Sequence, residues 1–254
     1  IDQALLGGTI DLAVHSLKDV ETHLPDGLNI CCVLEREDAR DVFISPFKKI
    51  DLLPDGGRFG TASLRRKAQI LSKRPDLDVT LFRGNVQTRI GKIKDGLVDG
   101  TMLALAGLKR LGIAQRTLDN IGGCILSHQE MLPAVGQGAL AIVMADKIAK
   151  DKKYLKEAVF KMQHWPSFLC VSAERAMLSE LNGSCRTPIA GYAFIDKNIL
   201  SLRGLLADEI SFKICSHALE VELGQDLDKN LTKAKDLGIQ LGKHLKQQQC
   251  LKSS

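Results

Sequence analysis

Phe59-Gly60-Thr61-Ala62-Ser63-Leu64-Arg65-Arg66-Lys67-Ala68-Gln69-Ile70-Leu71 is the stretch that decides the fold. Phe59-Gly60-Thr61 closes a strand, and Leu64, Ala68 and Leu71 then share one face of a helix that ends before Pro75. The alternation extends both ways. Downstream, Val79 to Phe82 reads as a strand that turns at Gly84-Asn85 into a helix with Val86, Ile90, Ile93 and Leu97 aligned. Thr101 to Leu105 is another strand, and Ala106-Gly107-Leu108 opens another helix. Upstream, Ile10 to Val14 reads as a strand ending at His15-Ser16-Leu17-Lys18-Asp19. After Gly136-Gln137-Gly138, which reads as a backbone hinge, Ala139 to Met144 is a strand returning to that first unit. Strand-helix units over residues 1–150 predict α/β architecture around a largely parallel sheet. Pro166 to Leu181 predicts a helix stopped by Asn182-Gly183. The strand-rich stretch from Ile189 to Leu223 and an amphipathic helix near Leu231 to Leu245 predict a separate α+β unit.

The 254 residues are 44% hydrophobic and 26% charged, an ordinary globular composition with room for two or three compact units. No apolar run approaches the roughly 18–20 residues that span a bilayer, which argues against a membrane protein. The N-terminus has no basic or apolar leader region, lacks an initiating Met and opens in a helical pattern, which suggests a truncated chain. Seven irregularly spaced cysteines argue against a disulfide framework and for a reducing, cytoplasmic setting. With no Cys-x-x-Cys pair or Cys/His cluster, no metal site is expected.

The net charge of +5 is unevenly spread: Arg58 to Arg110 carries twelve Lys and Arg against four Asp and Glu, a local charge of +8. That segment calls for an anionic partner. It holds only two aromatic residues, Phe59 and Phe82, too few for a single-stranded nucleic-acid platform, so small anions are favoured. In open parallel sheets ligands sit beyond the carboxyl ends of strands. Ser16, Lys18 and Asp19 follow one such end; Thr61, Ser63, Arg65 and Arg66 follow a second. Arg83 and Arg89 follow a third, and Lys109 and Arg110 a fourth. Arginine suits carboxylate binding because its planar fork grips both oxygens. Taken singly, each arginine could equally lie on a solvated helix face. Asp19 reads structurally as a helix N-cap or a partner of Lys18, and functionally as a carboxylate that stabilises a cation formed in a reaction. Cys185, in the loop Asn182-Gly183-Ser184-Cys185-Arg186, is a candidate for a covalent bond, since nearby positive charge favours the thiolate. Cys31, Cys32, Cys170 and Cys215 fall in apolar patterns and read as packing, and His15, His23 and His128 show no ligand spacing.

Seven ordered motifs make the chain resemble the porphobilinogen deaminase (hydroxymethylbilane synthase) family. They are His15-Ser16-Leu17-Lys18-Asp19-Val20, Gly60 to Arg66, Arg83 to Arg89, Leu105 to Gly112, Leu132 to Ala139, Ala173-Glu174-Arg175-Ala176 and the cysteine loop. The resemblance covers essentially the whole chain. It implies two type II periplasmic-binding-protein-like α/β lobes plus a small C-terminal α+β domain. Residues 1–38 and 134–158 would form domain 1, 39–133 domain 2, and 159–254 domain 3. It implies a dipyrromethane cofactor held by a thioether to Cys185, with Asp19 as the catalytic carboxylate facing the pyrrole nitrogens. Lys18, Ser63, Arg65, Arg66, Arg83 and Arg89 would hold cofactor carboxylates, and Ser16, Thr61 and Arg110 would contact substrate. The implied reaction condenses four porphobilinogens head to tail with loss of ammonia and releases hydroxymethylbilane, in a cytoplasmic monomer without nucleic-acid or membrane partners.

Four departures from the family pattern stand out. Ala62 replaces a second hydroxyl, Glu21 replaces a frequent proline, and Asn182-Gly183-Ser184 replaces Glu-Gly-Gly. The family's opening strand, first helix and second strand are absent, with an arginine-serine motif and a lysine of the active-site wall. A non-catalytic two-lobed binding module for a small polycarboxylate is the competing expectation. Such a module has no use for a cofactor cysteine on a third domain.

Overall fold

The computed structural model describes residues 1–184 and 187–252, with main chain alone for 249–252. Helix α1 (Asp2–Leu6) leads into strand β1 (Ala13–Ser16), a single 3-10 turn (Leu17–Asp19) and strand β2 (Leu28–Val33). The chain then crosses to β3 (Asp41–Ile44), β4 (Arg58–Gly60), α2 (Leu64–Leu71), β5 (Asp78–Thr80), α3 (Val86–Lys94) and β6 (Gly100–Ala104). Helices α4 (Leu105–Arg110) and α5 (Ala114–Ile121) and strand β7 (Gly123–Ile125) follow. A second crossover returns it to β8 (Leu140–Ala145), α6 (Asp146–Asp151) and α7 (Lys153–Phe160). Helix α8 (Trp165–Glu180), the strands β9 (Ile189–Asp196), β10 (Ile199–Ala207) and β11 (Ile214–Glu222), and helix α9 (Leu227–Lys252) form the C-terminal unit.

Two α/β lobes and a C-terminal α+β unit are therefore present, but the sheets are less parallel than the sequence pattern predicts. The second lobe has the order β5-β4-β6-β3-β7. There β4 runs parallel to β5 and β6, while β3 is antiparallel to both its neighbours. The first lobe has the order β1-β8-β2, with β8 antiparallel to both. The reason is topological. Each crossover delivers the chain as a strand running against its neighbours: β3 after the first crossover, β8 after the second. Apolar runs read the same in either direction, so strand polarity is invisible in the pattern.

The second lobe buries both faces of its sheet, as a sheet covered by helices on each side must. Val42 and Ile44 pack with Phe82, Leu103 and Leu108 on one face; Phe43 packs with Phe59, Ile70 and Met102 on the other. All four residues of β3 are buried, including its first, Asp41. The C-terminal sheet β11-β10-β9 is fully antiparallel, and its Leu200 and Leu202 pack with Met177 of α8 and Leu241 and Leu245 of α9. The crossovers pass side by side between lobes and C-terminal unit. Gly136 and Gly138 there have φ of +72° and +89°. A Cβ on Gly138 would collide with the Glu37 carbonyl of the other crossover, so the hinge admits only glycine at that position.

Candidate functional site

The site is built from strand ends. Strand β1 stops at Ser16, and Leu17, 2% exposed, anchors the 3-10 turn in a cluster with Val33, Ala139, Ala141 and Val171. Lys18 and Asp19 then project into a cleft. Asp19 is the last residue of the turn and Ser16 occupies the cap position, so the N-cap reading of Asp19 does not hold. At the end of β4, the buried Thr61 accepts a hydrogen bond from the Ser63 amide at 3.1 Å. Ser63 in turn caps α2, accepting from the Arg66 amide.

Arg65 and Arg66 occupy the first turn of α2, where the helix dipole disfavours cations. Neither lies on a solvated face: they are 4% and 6% exposed. Both are compensated by Asp41, fully buried at the start of β3. Asp41 accepts from Arg65 Nη2 at 2.8 Å, from Arg66 Nη2 at 2.8 Å and from the Gln137 amide nitrogen at 2.9 Å. Arg65 Nη1 also donates to the Leu132 carbonyl at 2.6 Å, and Arg66 Nη1 to the Met102 carbonyl at 2.9 Å. Burial alone would raise the pKa of Asp41, but the two guanidiniums override it and hold the carboxyl well below the usual range. Arg65 Nε is buried without a partner among the described residues.

A cavity of about 350 Å³ opens over this cluster. Of the residues singled out in the sequence, the structure gathers Lys18, Asp19, Ser63, Arg65, Arg66 and Arg89 around it. Arg89, on α3, is oriented by a 2.8 Å bond from its Nε to the Gly84 carbonyl. Four expected residues lie outside the lining. Ser16 ends β1, Thr61 is buried as a turn-builder, Arg83 is exposed, and Arg110 donates to the Gly138 carbonyl of the second crossover at 2.7 Å. Strand-end counting places a residue near a cleft; it does not say which main-chain carbonyl will claim its side chain. Cys185 and Arg186 lie outside the described residues.

Three contributors escaped the sequence reading. Asp41 begins an apolar strand, and a lone carboxylate in such a run is the signal that could have found it. Gln137, inside the glycine hinge, bridges the Ala39 carbonyl at 2.7 Å and Asp41. Arg175, on α8, also lines the cavity. Its neighbour Glu174, with no exposure, holds Arg36 at 2.6 Å and accepts from the amides of Gly136 and Ala193. Among the described lining residues five are cationic and one, Asp19, is a carboxylate. Asp41 behind them supplies a second. The cleft is therefore built for a polyanion, with one negative charge reserved at its mouth. No group of three or more His, Cys, Asp or Glu among the described residues could hold a metal ion.

Burial, followed by the charge of Arg66, lowers the Lys18 pKa to about 8. A lysine depressed in the folded state weakens the fold below pH 8, and the penalty is relieved as pH rises from 8 towards its ordinary value. Lys18→Met is thus expected to stabilise the chain at pH 7 by about 1–2 kcal/mol while weakening polycarboxylate binding. Thermal melts at pH 7 and 9.5, with and without citrate, check this: the stability gap should shrink at the higher pH. Destabilisation by Lys18→Met at pH 7 would contradict it.

Residues 1–154 match the family model described as "Porphobilinogen deaminase, dipyromethane cofactor binding domain", and residues 168–247 match "Porphobilinogen deaminase, C-terminal domain". A chloroplastic porphobilinogen deaminase from Oryza sativa is 51% identical over 82% of this chain and 56% of its own length. One from Pisum sativum is 50% identical over 82% and 54%. A porphobilinogen deaminase from Nitratidesulfovibrio vulgaris is 44% identical over 87% and 68%. The chain thus spans little more than half the length of the plant relatives. A solved periplasmic sulfonate-binding protein from Methylobacillus flagellatus aligns over 72% of this chain and 52% of its own at 14% identity and a TM-score of 0.40.

Proposed function

The chain belongs to the porphobilinogen deaminase family, and from that premise we propose that it forms the catalytic body of a transferase making hydroxymethylbilane from four porphobilinogens. The observation that carries this reading is the cleft in which, among the described residues, five cations surround one lining carboxylate, Asp19. Each porphobilinogen brings two carboxylates, and a dipyrromethane brings four. The orphaned Arg65 Nε and the surplus of lining cations suit such a group. When bound, the dipyrromethane supplies the free pyrrole carbon on which substrate is condensed.

In this reading Lys18, Ser63, Arg65, Arg66 and Arg89 hold acetate and propionate groups through charge-assisted hydrogen bonds. Asp41, itself held by Gln137, grips the two guanidiniums from behind, so their direction is set before any ligand arrives. Asp19 is exposed and accepts no hydrogen bond among the described residues, which leaves both its oxygens for the incoming pyrrole. Loss of ammonia from porphobilinogen leaves a methylene-pyrrole cation. The Asp19 carboxylate stabilises that charge and helps move the proton released when the new carbon–carbon bond forms. Cys185 would carry the thioether, and Arg83 would hold a further cofactor carboxylate. No helix among the described residues is long and apolar enough to cross a membrane, and a cytoplasmic monomer belongs to the same proposal.

The test is ammonia release from porphobilinogen by the chain extended to the length of the relatives it matches. Asp19→Asn nearly preserves volume but removes the charge, and condensation should slow by at least ~100-fold with the fold intact. An extended chain that binds porphobilinogen yet releases no ammonia would leave only the polycarboxylate-binding module. An Asp19→Asn variant with undiminished turnover would remove Asp19 from the chemistry.

A further inference from the structure

Two contacts tie the loop after Asp19 to the segment that leads to Cys185. The Thr22 hydroxyl donates to the Gly183 carbonyl at 2.7 Å, across 161 residues of sequence. Arg175, on α8, donates from Nη2 to the carbonyls of Glu21 at 2.8 Å and Thr22 at 3.0 Å. No carboxylate pairs with Arg175 among the described residues; its guanidinium serves main-chain oxygens of the Asp19 loop, and burial lowers its pKa.

Both ends of this connection are packed. On the Asp19 side, Leu17 is buried against Val171 of the same helix α8. On the other side, Gly183 is packed beneath Ile189 and Leu178, whose Cδ1 atoms a Cβ there would meet. The next residue is clasped as well: the Ser184 amide donates to Thr187 Oγ1 at 3.0 Å, and that hydroxyl donates to the Ser184 carbonyl at 2.8 Å. Docking of the C-terminal unit does not need the strap. The buried Arg36–Glu174 pair and the cluster around Leu17 and Val171 already supply it. What Thr22 and Arg175 add is a fixed offset between the Asp19 turn and residue 183.

We infer that Thr22 and Arg175 are positioning residues that set the Asp19 carboxylate against the start of the cofactor-bearing loop. This rests on the roles proposed above for Asp19 and Cys185. A reacting carbon held on one side and a carboxylate on the other must meet within a fraction of an ångström, and a 1 Å misplacement costs on the order of 100-fold in rate. Neither residue needs to touch the reacting atoms to exert that effect.

The experiment compares Thr22→Val, Thr22→Ser and Arg175→Lys in the extended, cofactor-loaded chain. Thr22→Val, which loses the donor but keeps the shape, should lower kcat by roughly 10-fold or more with KM within about 3-fold. Cofactor content and melting temperature should stay at wild-type values. Thr22→Ser keeps the hydroxyl and should restore kcat, while Arg175→Lys, which replaces the planar fork with a compact ammonium, should behave like Thr22→Val. Hydrogen exchange supplies a readout that needs no turnover: in Thr22→Val the amides of residues 17–24 and of 183–184 should exchange faster, with α8 unchanged. Wild-type kcat and unchanged exchange in Thr22→Val would overturn the inference, as would equal losses in the Val and Ser variants. If the extended wild-type chain releases no ammonia, the proposed function fails, and the exchange arm still decides whether the strap exists.

Discussion

Asp41→Asn is expected to destabilise the chain by about 3–5 kcal/mol, the cost of leaving buried charge without its partner. Asp41 is the counter-ion for both Arg65 and Arg66, each less than a tenth exposed, and all three sit inside the second lobe. Asparagine keeps one acceptor and the approximate volume, so packing of β3 survives; the loss is electrostatic. For a chain of this size the melting temperature should fall by roughly 10 °C. The pH dependence has a definite sign. A carboxyl held below its ordinary pKa contributes fully above the unfolded value, near 4, and the contribution is withdrawn as pH falls through the folded value. The gap between wild type and Asp41→Asn should therefore be constant from pH 5 to 7 and close only in strong acid. Citrate should raise the melting temperature of the variant more than that of wild type, because the two arginines then take a carboxylate from solution. Equal stability of the two proteins at pH 7 would show that the guanidiniums find other partners.

Cys185→Ser is expected to abolish covalent attachment of the dipyrromethane in the extended chain, read as complete loss of the mass increment. The argument is one of competition among thiols. Cys170 is buried beside Glu174, and its pKa is pushed up to about 12. Burial also raises the pKa values of Cys31, Cys32 and Cys124, which disfavours their thiolates. Cys215 is 4% exposed within the C-terminal core, where a tetra-acidic adduct has no room for hydration. Cys185 instead follows the pinned Gly183-Ser184 segment at the cavity wall, to which Ser184 and Thr187 both contribute. Cys124→Ser should keep the full increment. An increment that survives Cys185→Ser on a peptide containing another cysteine would sink the assignment.

The α/β alternation around Phe59 to Leu71, the helix from Pro166 and the separate C-terminal unit were legible because apolar periodicity is a local property of the chain. Boundaries shifted, by one residue for the strand expected at Ala139 to Met144 and found at Leu140–Ala145, and by two to three for the strand expected at Ile10 to Val14 and found at Ala13–Ser16. The last helix is longer than its apolar stripe, running Leu227–Lys252. The cationic character of the site was legible too, since Lys18, Arg65, Arg66 and Arg89 follow strand ends in sequence and converge on one cavity.

Charge pairing was not legible. Asp41 lies 24 residues before Arg65, and Arg175 lies more than 150 residues after the loop it holds. Nothing in local pattern links such groups, because a hydrogen bond across a crossover is a consequence of how the lobes close. The same holds for strand direction and for Arg110, whose position after β6 suits a ligand until the second crossover presents the Gly138 carbonyl to it. By itself, then, the sequence determined which residues could become strands, helices and cations near strand ends. Only the tertiary structure decided which of those cations are spent on protein carbonyls and carboxylates and which keep donors for a ligand, because that division depends on distances no single segment contains.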